Sequence, residues 1–84
     1  MAYERVTQLQ PRLIIGTKQA LKAMKNGEVE EVIIASDAEQ HITDKVIQAA
    51  KDLNIPYTLV DSKKKLGEAC SIDVDATTVA IKKV

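Results

Sequence analysis

The sequence predicts an α/β protein: a three-layer α/β/α sandwich with a four-stranded mixed sheet. Three observations lead there. Four short runs rich in aliphatic and β-branched residues read as strands: Leu13-Ile14-Ile15, Val32-Ile33-Ile34-Ala35, Tyr57-Thr58-Leu59-Val60 and Thr77-Thr78-Val79-Ala80-Ile81. Segments of helical periodicity separate them. Runs that are apolar at consecutive positions are expected to be covered on both faces, so helices must lie on both sides of a largely parallel or mixed sheet.

The elements follow in order. Tyr3 to Leu9 reads as a short, weakly amphipathic helix closed by Pro11. Leu13 to Ile15 is a buried strand running into Gly16. From Thr17 to Asn26, Ala20, Leu21, Ala23 and Met24 share one helical face, with Lys18, Lys22 and Lys25 opposite. Asn26-Gly27 ends that helix, because glycine takes the left-handed conformation at low cost. The strand Val32 to Ala35 stops at Ser36-Asp37. Ile42 to Leu53 is the clearest helix, with Ile42, Val46, Ala49, Ala50 and Leu53 as its apolar stripe. Asn54 ends it and Pro56 forbids continuation. After the third strand, Ser62 is an N-cap for a helix from Lys63 to Cys70. A polar loop, Ser71 to Ala76, leads into the last strand.

Length and composition exclude much. Eighty-four residues, 9.2 kDa, fit one domain spanning 1–84, and no linker, repeat or low-complexity segment divides it. There is no Phe or Trp, and Tyr3 and Tyr57 are the only tyrosines, which argues against a platform for stacking unpaired bases. A single cysteine, Cys70, permits no intrachain disulfide and no multi-cysteine zinc site. A single histidine, His41, permits no His-rich metal site. No apolar run approaches membrane-spanning length and the first residues lack a signal-type apolar core, so a cytoplasmic protein without a membrane partner is expected.

Twelve basic and twelve acidic residues cancel. Their distribution is uneven. Residues 1–27 hold five basic residues against Glu4 alone, a balance of +4, whereas residues 28–84 carry −4. An anion site therefore belongs in the first third. On composition alone, two oppositely charged solvated faces are the simpler account.

Familiar catalytic patterns fail on spacing. Gly16-Thr17-Lys18 lacks the phosphate-loop arrangement. Asp37 follows a strand as a phospho-acceptor aspartate would, but the accompanying acidic pair is missing. Ser62-Lys63-Lys64-Lys65 matches Ser-x-x-Lys without its companion motifs, and reads as a helix cap followed by solvated lysines. Cys70 reads as a packed small hydrophobe, and His41 as a surface or capping residue. No nucleophile, base and orienting group assemble, so no enzyme and no cofactor are expected.

One feature remains. Gly16 stands at a strand-to-helix junction, where the first amides of the helix are free to meet an anion. Thr17 can add a hydroxyl donor. Lys18 and Gln19 lie in the first turn, where their side chains are expected to surround the same opening. A lysine there opposes the helix dipole, a cost of about 0.3–1 kcal/mol that an external anion would offset. The amide of Gln19 suits a base edge. Phosphates on the lysines, with base edges read by Lys18 and Gln19, describe an RNA site. A solvated Lys/Gln-rich face describes the same residues.

The blocks Leu13-Ile14-Ile15-Gly16-Thr17-Lys18-Gln19-Ala20-Leu21-Lys22, Val32-Ile33-Ile34-Ala35-Ser36-Asp37-Ala38-Glu39, Ile55-Pro56-Tyr57 and Ser62-Lys63 with Leu66-Gly67-Glu68-Ala69-Cys70 resemble the L-seven-Ae / L-thirty-e ribosomal protein family, and most of all its small bacterial YbxF-type members. The resemblance spans nearly the whole chain with the spacing preserved. It implies the same sandwich and recognition of kink-turns, internal RNA loops whose tandem sheared G·A pairs bend the duplex sharply. The major groove of an A-form helix is too narrow for side chains, and such a loop opens it.

By position, the resemblance makes Gly16, Thr17, Lys18, Gln19 and Lys22 the reading head. Lys18 and Gln19 would contact guanines, and Lys22 a phosphate or nearby base edge. Glu39 matches a position that contacts an extruded nucleotide, and Ile72 and Val74 belong to the loop Ser71–Ala76 that packs on exposed bases. The implied partners are ribosomal or riboswitch RNA and the ribosome, and the size and site suit a monomer. The chain departs from the family at Lys18-Gln19, where many archaeal members carry Asn-Glu; at Ser71, where glycine is usual; and at Asp73 and Asp75, which repel phosphate. A protein-interaction adaptor on the same fold is the alternative, favoured by the neutral overall charge.

Overall fold

The computed structural model describes residues 7–8 and 12–83. Its elements are β1 (Leu13–Ile15), α1 (Thr17–Lys25), β2 (Val29–Ala35), α2 (Gln40–Asp52), β3 (Tyr57–Val60), α3 (Lys63–Ala69) and β4 (Thr78–Lys82). The expected Tyr3–Leu9 helix lies outside the described residues except for Thr7 and Gln8, which are helical. The Thr7 hydroxyl donates to the Ala69 carbonyl at 3.4 Å.

The four strands form one mixed sheet in the order β1-β4-β2-β3. β4 runs antiparallel to both neighbours, while β2 and β3 are parallel. The parallel pair is joined through α2, as a crossover connection requires. Each face of the sheet carries its own apolar cluster. On one, Ala20, Ala23 and Met24 of α1 and Val46 and Ala50 of α2 close over Val32, Ile34 and Ala80. On the other, Leu66 and Cys70 at α3 pack on Ile33, Ala35, Val79 and Ile81. Successive strand residues point to opposite faces, so the consecutive apolar positions of β2 and β4 feed both clusters. This is the three-layer α/β/α arrangement.

Several boundaries and burials differ from the sequence reading. β2 begins at Val29, three residues early. Glu31 interrupts the apolar pattern, yet it lies in the strand beside a register shift and accepts a hydrogen bond from the Thr58 hydroxyl at 2.8 Å. β1 is half-buried and Leu59 of β3 is 51% exposed, because these are the two edge strands. α2 starts at Gln40, and its buried stripe is Thr43, Val46 and Ala50. Ile42 and Leu53, expected inside, flank that stripe, and Leu53 is 41% exposed. Thr43 is buried at low cost because its hydroxyl donates to the Gln40 carbonyl at 2.9 Å. α1 and α3 each end one residue early, and β4 is shifted by one to Thr78–Lys82.

Helix ends follow local chemistry. Gly27 and Asn54 take left-handed backbone with φ of 73° and 56° just beyond α1 and α2. The Ser62 hydroxyl accepts from the Lys65 amide at 3.2 Å, the cap expected at the start of α3.

Candidate nucleic-acid interface

One end of the sheet gathers the segments that the sequence singles out. The Gly16 amide donates to the Thr78 carbonyl at 3.0 Å, the Ala35 amide to the Thr77 carbonyl at 2.9 Å, and the Ser36 amide to the Val60 carbonyl at 2.7 Å. The carboxyl ends of β1, β2 and β3 therefore meet the amino end of β4. Segments 16–19, 36–39, 61–63 and 71–77 emerge together there. Open α/β sheets commonly bind ligands beyond the carboxyl ends of their strands.

Gly16 is the N-cap of α1 with φ 106° and ψ 142°, a conformation that side-chain-bearing residues avoid. A Cβ built on it would meet nothing within 4 Å. Conformation, not crowding, requires the glycine here, and the space in front of it is open. No side chain caps α1, and the first intrahelical bond runs from the Ala20 amide to the Gly16 carbonyl at 2.9 Å. The earlier amides of the turn have no partner within the helix and carry its positive end.

Thr17, expected to donate to a ligand, is used inside the protein. Its hydroxyl lies 3.2 Å from that of Thr77 and 3.1 Å from that of Thr78. This half-buried triad pins the start of α1 to the point where the 71–77 segment enters β4.

Lys18 and Gln19 are exposed, but they do not surround one opening. Neighbours on a helix point about 100° apart. Lys18 faces a groove shared with α2, and Gln19 faces a cleft on the β1 side with Ile14 and Asn26. Lys22, one turn on, borders both. The three side chains therefore form a ridge along α1 rather than the rim of a pocket. A ridge of this kind complements a concave partner.

Glu39, at the N-cap of α2, is exposed, and its carboxylate lies 3.4 Å from His41 Nε2. Its main-chain carbonyl accepts the amides of Ile42 and Thr43, closing the first turn. Nearby Asp37 is structural: its carboxylate accepts the Lys63 amide at 2.8 Å and so holds the start of α3.

The loop 71–76 is seated by Gly67 of α3. An added Cβ there would collide with the Val74 carbonyl and lie 3.2 Å from the Ala76 nitrogen. The Ile72 amide donates to the Gly67 carbonyl at 3.1 Å, and the Ala76 amide to the Lys63 carbonyl at 3.0 Å. Of the two expected contact residues here, Ile72 is partly buried against the α3-side cluster and anchors the loop. Val74 stands out with 69% of its surface exposed. Asp73 and Asp75 are exposed beside it.

Ser71 takes the left-handed conformation, φ 62°, at the position where the resemblance leads one to expect glycine. Cys70 is buried, and burial pushes its thiol pKa above the ordinary 9.0. Among the described residues, no group of three His, Cys, Asp or Glu side chains is placed to hold a metal ion. Nor is any described helix long and apolar enough to cross a membrane.

Residues 2–84 match the family model described as Ribosomal protein L7Ae/L30e/S12e/Gadd45 family. The chain belongs to that family. The RNA-binding protein YbxF of Geobacillus stearothermophilus is 53% identical over 81 residues, covering 96% of this chain and 98% of the relative. An RNA-binding protein of Halalkalibacterium halodurans is 55% identical over 83 residues, 99% of this chain and the whole of the relative. Among solved structures, the Giardia lamblia 15.5kD RNA binding protein superposes with a TM-score of 0.85 at 34% identity, covering 98% of this chain and 68% of that one. A Bacillus halodurans protein of unknown function gives 0.87 at 27% identity, with 98% and 85% coverage. Both superpositions take in nearly all of the sandwich.

Three supports of the site escape a reading of the sequence alone. The Thr17–Thr77–Thr78 contact joins residues about sixty positions apart. Asp37 reaches α3 across 26 positions. Gly67 lies inside a helix, and that placement is its only signal, since glycine there costs stability unless something packs against it.

Proposed function

We propose that this chain is a non-enzymatic RNA-binding protein that recognises kink-turn RNA and holds it bent. The observation that carries the reading is the convergence, at one end of the sheet, of an uncapped helix start behind Gly16, the Lys18-Gln19-Lys22 ridge, Glu39 and the exposed Val74. The names of its close relatives supply the ligand class.

In this reading the ridge enters the groove opened by the sheared G·A pairs. Lys18 on one flank and Gln19 on the other take guanine edges, and Lys22 takes a phosphate. Glu39 meets the extruded nucleotide, while Val74, held by the anchor Ile72, lies against exposed bases. Thr17 positions the ridge. The protein shifts the RNA from its extended to its bent form because it contacts only the bent one. Ribosomal or riboswitch RNA in the cytoplasm, with or without the rest of a ribosome, supplies such loops, and one protein copy suffices for one loop.

The test is a titration of the protein against a kink-turn RNA and against the same RNA with its G·A pairs made Watson–Crick. Tighter binding to the kink-turn, by about tenfold or more, is expected, since one good base-edge pairing is worth about 1–3 kcal/mol. Equal affinity would reject kink-turn recognition.

A further inference from the structure

We propose that the groove between α1 and α2 is a second RNA contact, a cradle for phosphodiester backbone continuing from the ridge. It encloses about 610 Å³. Lys18, Lys22 and Lys25 form one rail, spaced by four and three residues along a single face of α1. Across from them stand His41 and Lys45 of α2. The floor is apolar, made by the half-buried side chains of Leu21 and Ile42.

Among the described residues, no carboxylate lines the groove. Nor, among them, does any of the four lysines have an ion-pair partner; the pairs present are Arg12–Glu30, His41–Glu39 and Lys65–Asp61. Like charges at such spacings weaken a helix, and this helix is only nine residues long. In a chain whose net charge is zero, four unpaired ammonium groups around one groove complement a polyanion.

The occupant is fixed by continuity. Lys18 and Lys22 belong both to the ridge and to the groove, so a nucleic acid seated on the ridge passes over Lys25 and Lys45 if it extends along α1. This inference rests on the RNA-binding reading, but not on kink-turn selectivity. Contacts to phosphate hold the RNA without reading its sequence.

The experiment compares wild type with the Lys25→Ala/Lys45→Ala double variant, which leaves the ridge intact, on the two RNAs named above at a series of salt concentrations. Both side chains are exposed, and circular dichroism with thermal melting verifies the fold. Removing one lysine–phosphate pair makes the slope of log K against log salt shallower by about 1. The expected result is weaker binding to both RNAs by the same factor, with a slope shallower by about 1 to 2. Lys25→Arg/Lys45→Arg should restore the wild-type slope. Unchanged affinity and slope would overturn the proposal and leave the groove to a protein partner, and so would a loss confined to the kink-turn RNA. If wild type fails to distinguish the RNAs while the double variant still has the shallower slope, kink-turn recognition fails and the cradle stands.

Discussion

At the scale of single residues, the ridge separates reading from positioning. Lys18 and Gln19 project to different flanks of α1, so under the proposed function each would meet a different part of the RNA and the two losses should add. Lys18→Ala or Gln19→Ala should each cost about 1–3 kcal/mol in affinity for kink-turn RNA, checked by titration, with folding stability nearly unchanged because both side chains are exposed. Thr17 is the converse. Thr17→Val keeps the shape and removes the hydroxyl shared with Thr77 and Thr78. It should lower the unfolding free energy by about 1–3 kcal/mol, measured by urea denaturation followed by far-UV circular dichroism, while Thr17→Ser retains most of it. Local chemistry makes Gly16, Lys18, Gln19 and Lys22 legible as candidates in the sequence. Direction is what it withholds: adjacency in the chain suggests that Lys18 and Gln19 surround one opening, and the helical step of about 100° turns them apart.

At the scale of elements, the two edge strands are readable to the residue. Leu13–Ile15 and Tyr57–Val60 have their expected limits. Elements whose composition is set by tertiary partners are not. Val29–Glu31 joins β2 because β4 supplies its ladder, and Thr43 replaces Ile42 in the buried stripe because its hydroxyl finds a local acceptor. The seat of the 71–76 loop is likewise tertiary. Gly67→Ala drives a methyl into the Val74 carbonyl, so overpacking should cost about 1–3 kcal/mol in stability. Titration and thermal melting of the same variant should show kink-turn affinity falling further than the melting shift explains, because Val74 is displaced.

The end of α3 also carries a pH dependence. Burial raises the Cys70 thiol pKa above 9.0, so the unfolded chain releases this proton first as pH climbs. The stability tied to Cys70 is intact below pH 9.0 and is lost as pH rises through the higher folded value. Denaturation midpoints above pH 9.0 should therefore fall more steeply in wild type than in Cys70→Ala.

At the scale of the whole molecule, the sandwich gathers the candidate RNA-binding segments at one pole. Three strands end there and the fourth begins there, so segments distant in sequence converge without a pocket being needed. The opposite pole is built differently, with the Arg12 guanidinium 2.6 Å from Glu30 and donating at 2.7 Å to the Lys82 carbonyl. That pole closes the sheet and carries none of the ridge residues. The sandwich is legible in the sequence because alternation of apolar runs and amphipathic helices admits few layer arrangements, whereas strand order and the shared pole come only from the fold. The most direct test of that pole is a map of amide chemical shifts while kink-turn RNA is added to the protein. The largest changes are expected at Gly16 to Gln19, Glu39 and 71–76, with clearly smaller ones at Gly27, Asn54 and Lys83. Changes centred on those last three residues, with Gly16 to Gln19 unmoved, would contradict an RNA site at that pole.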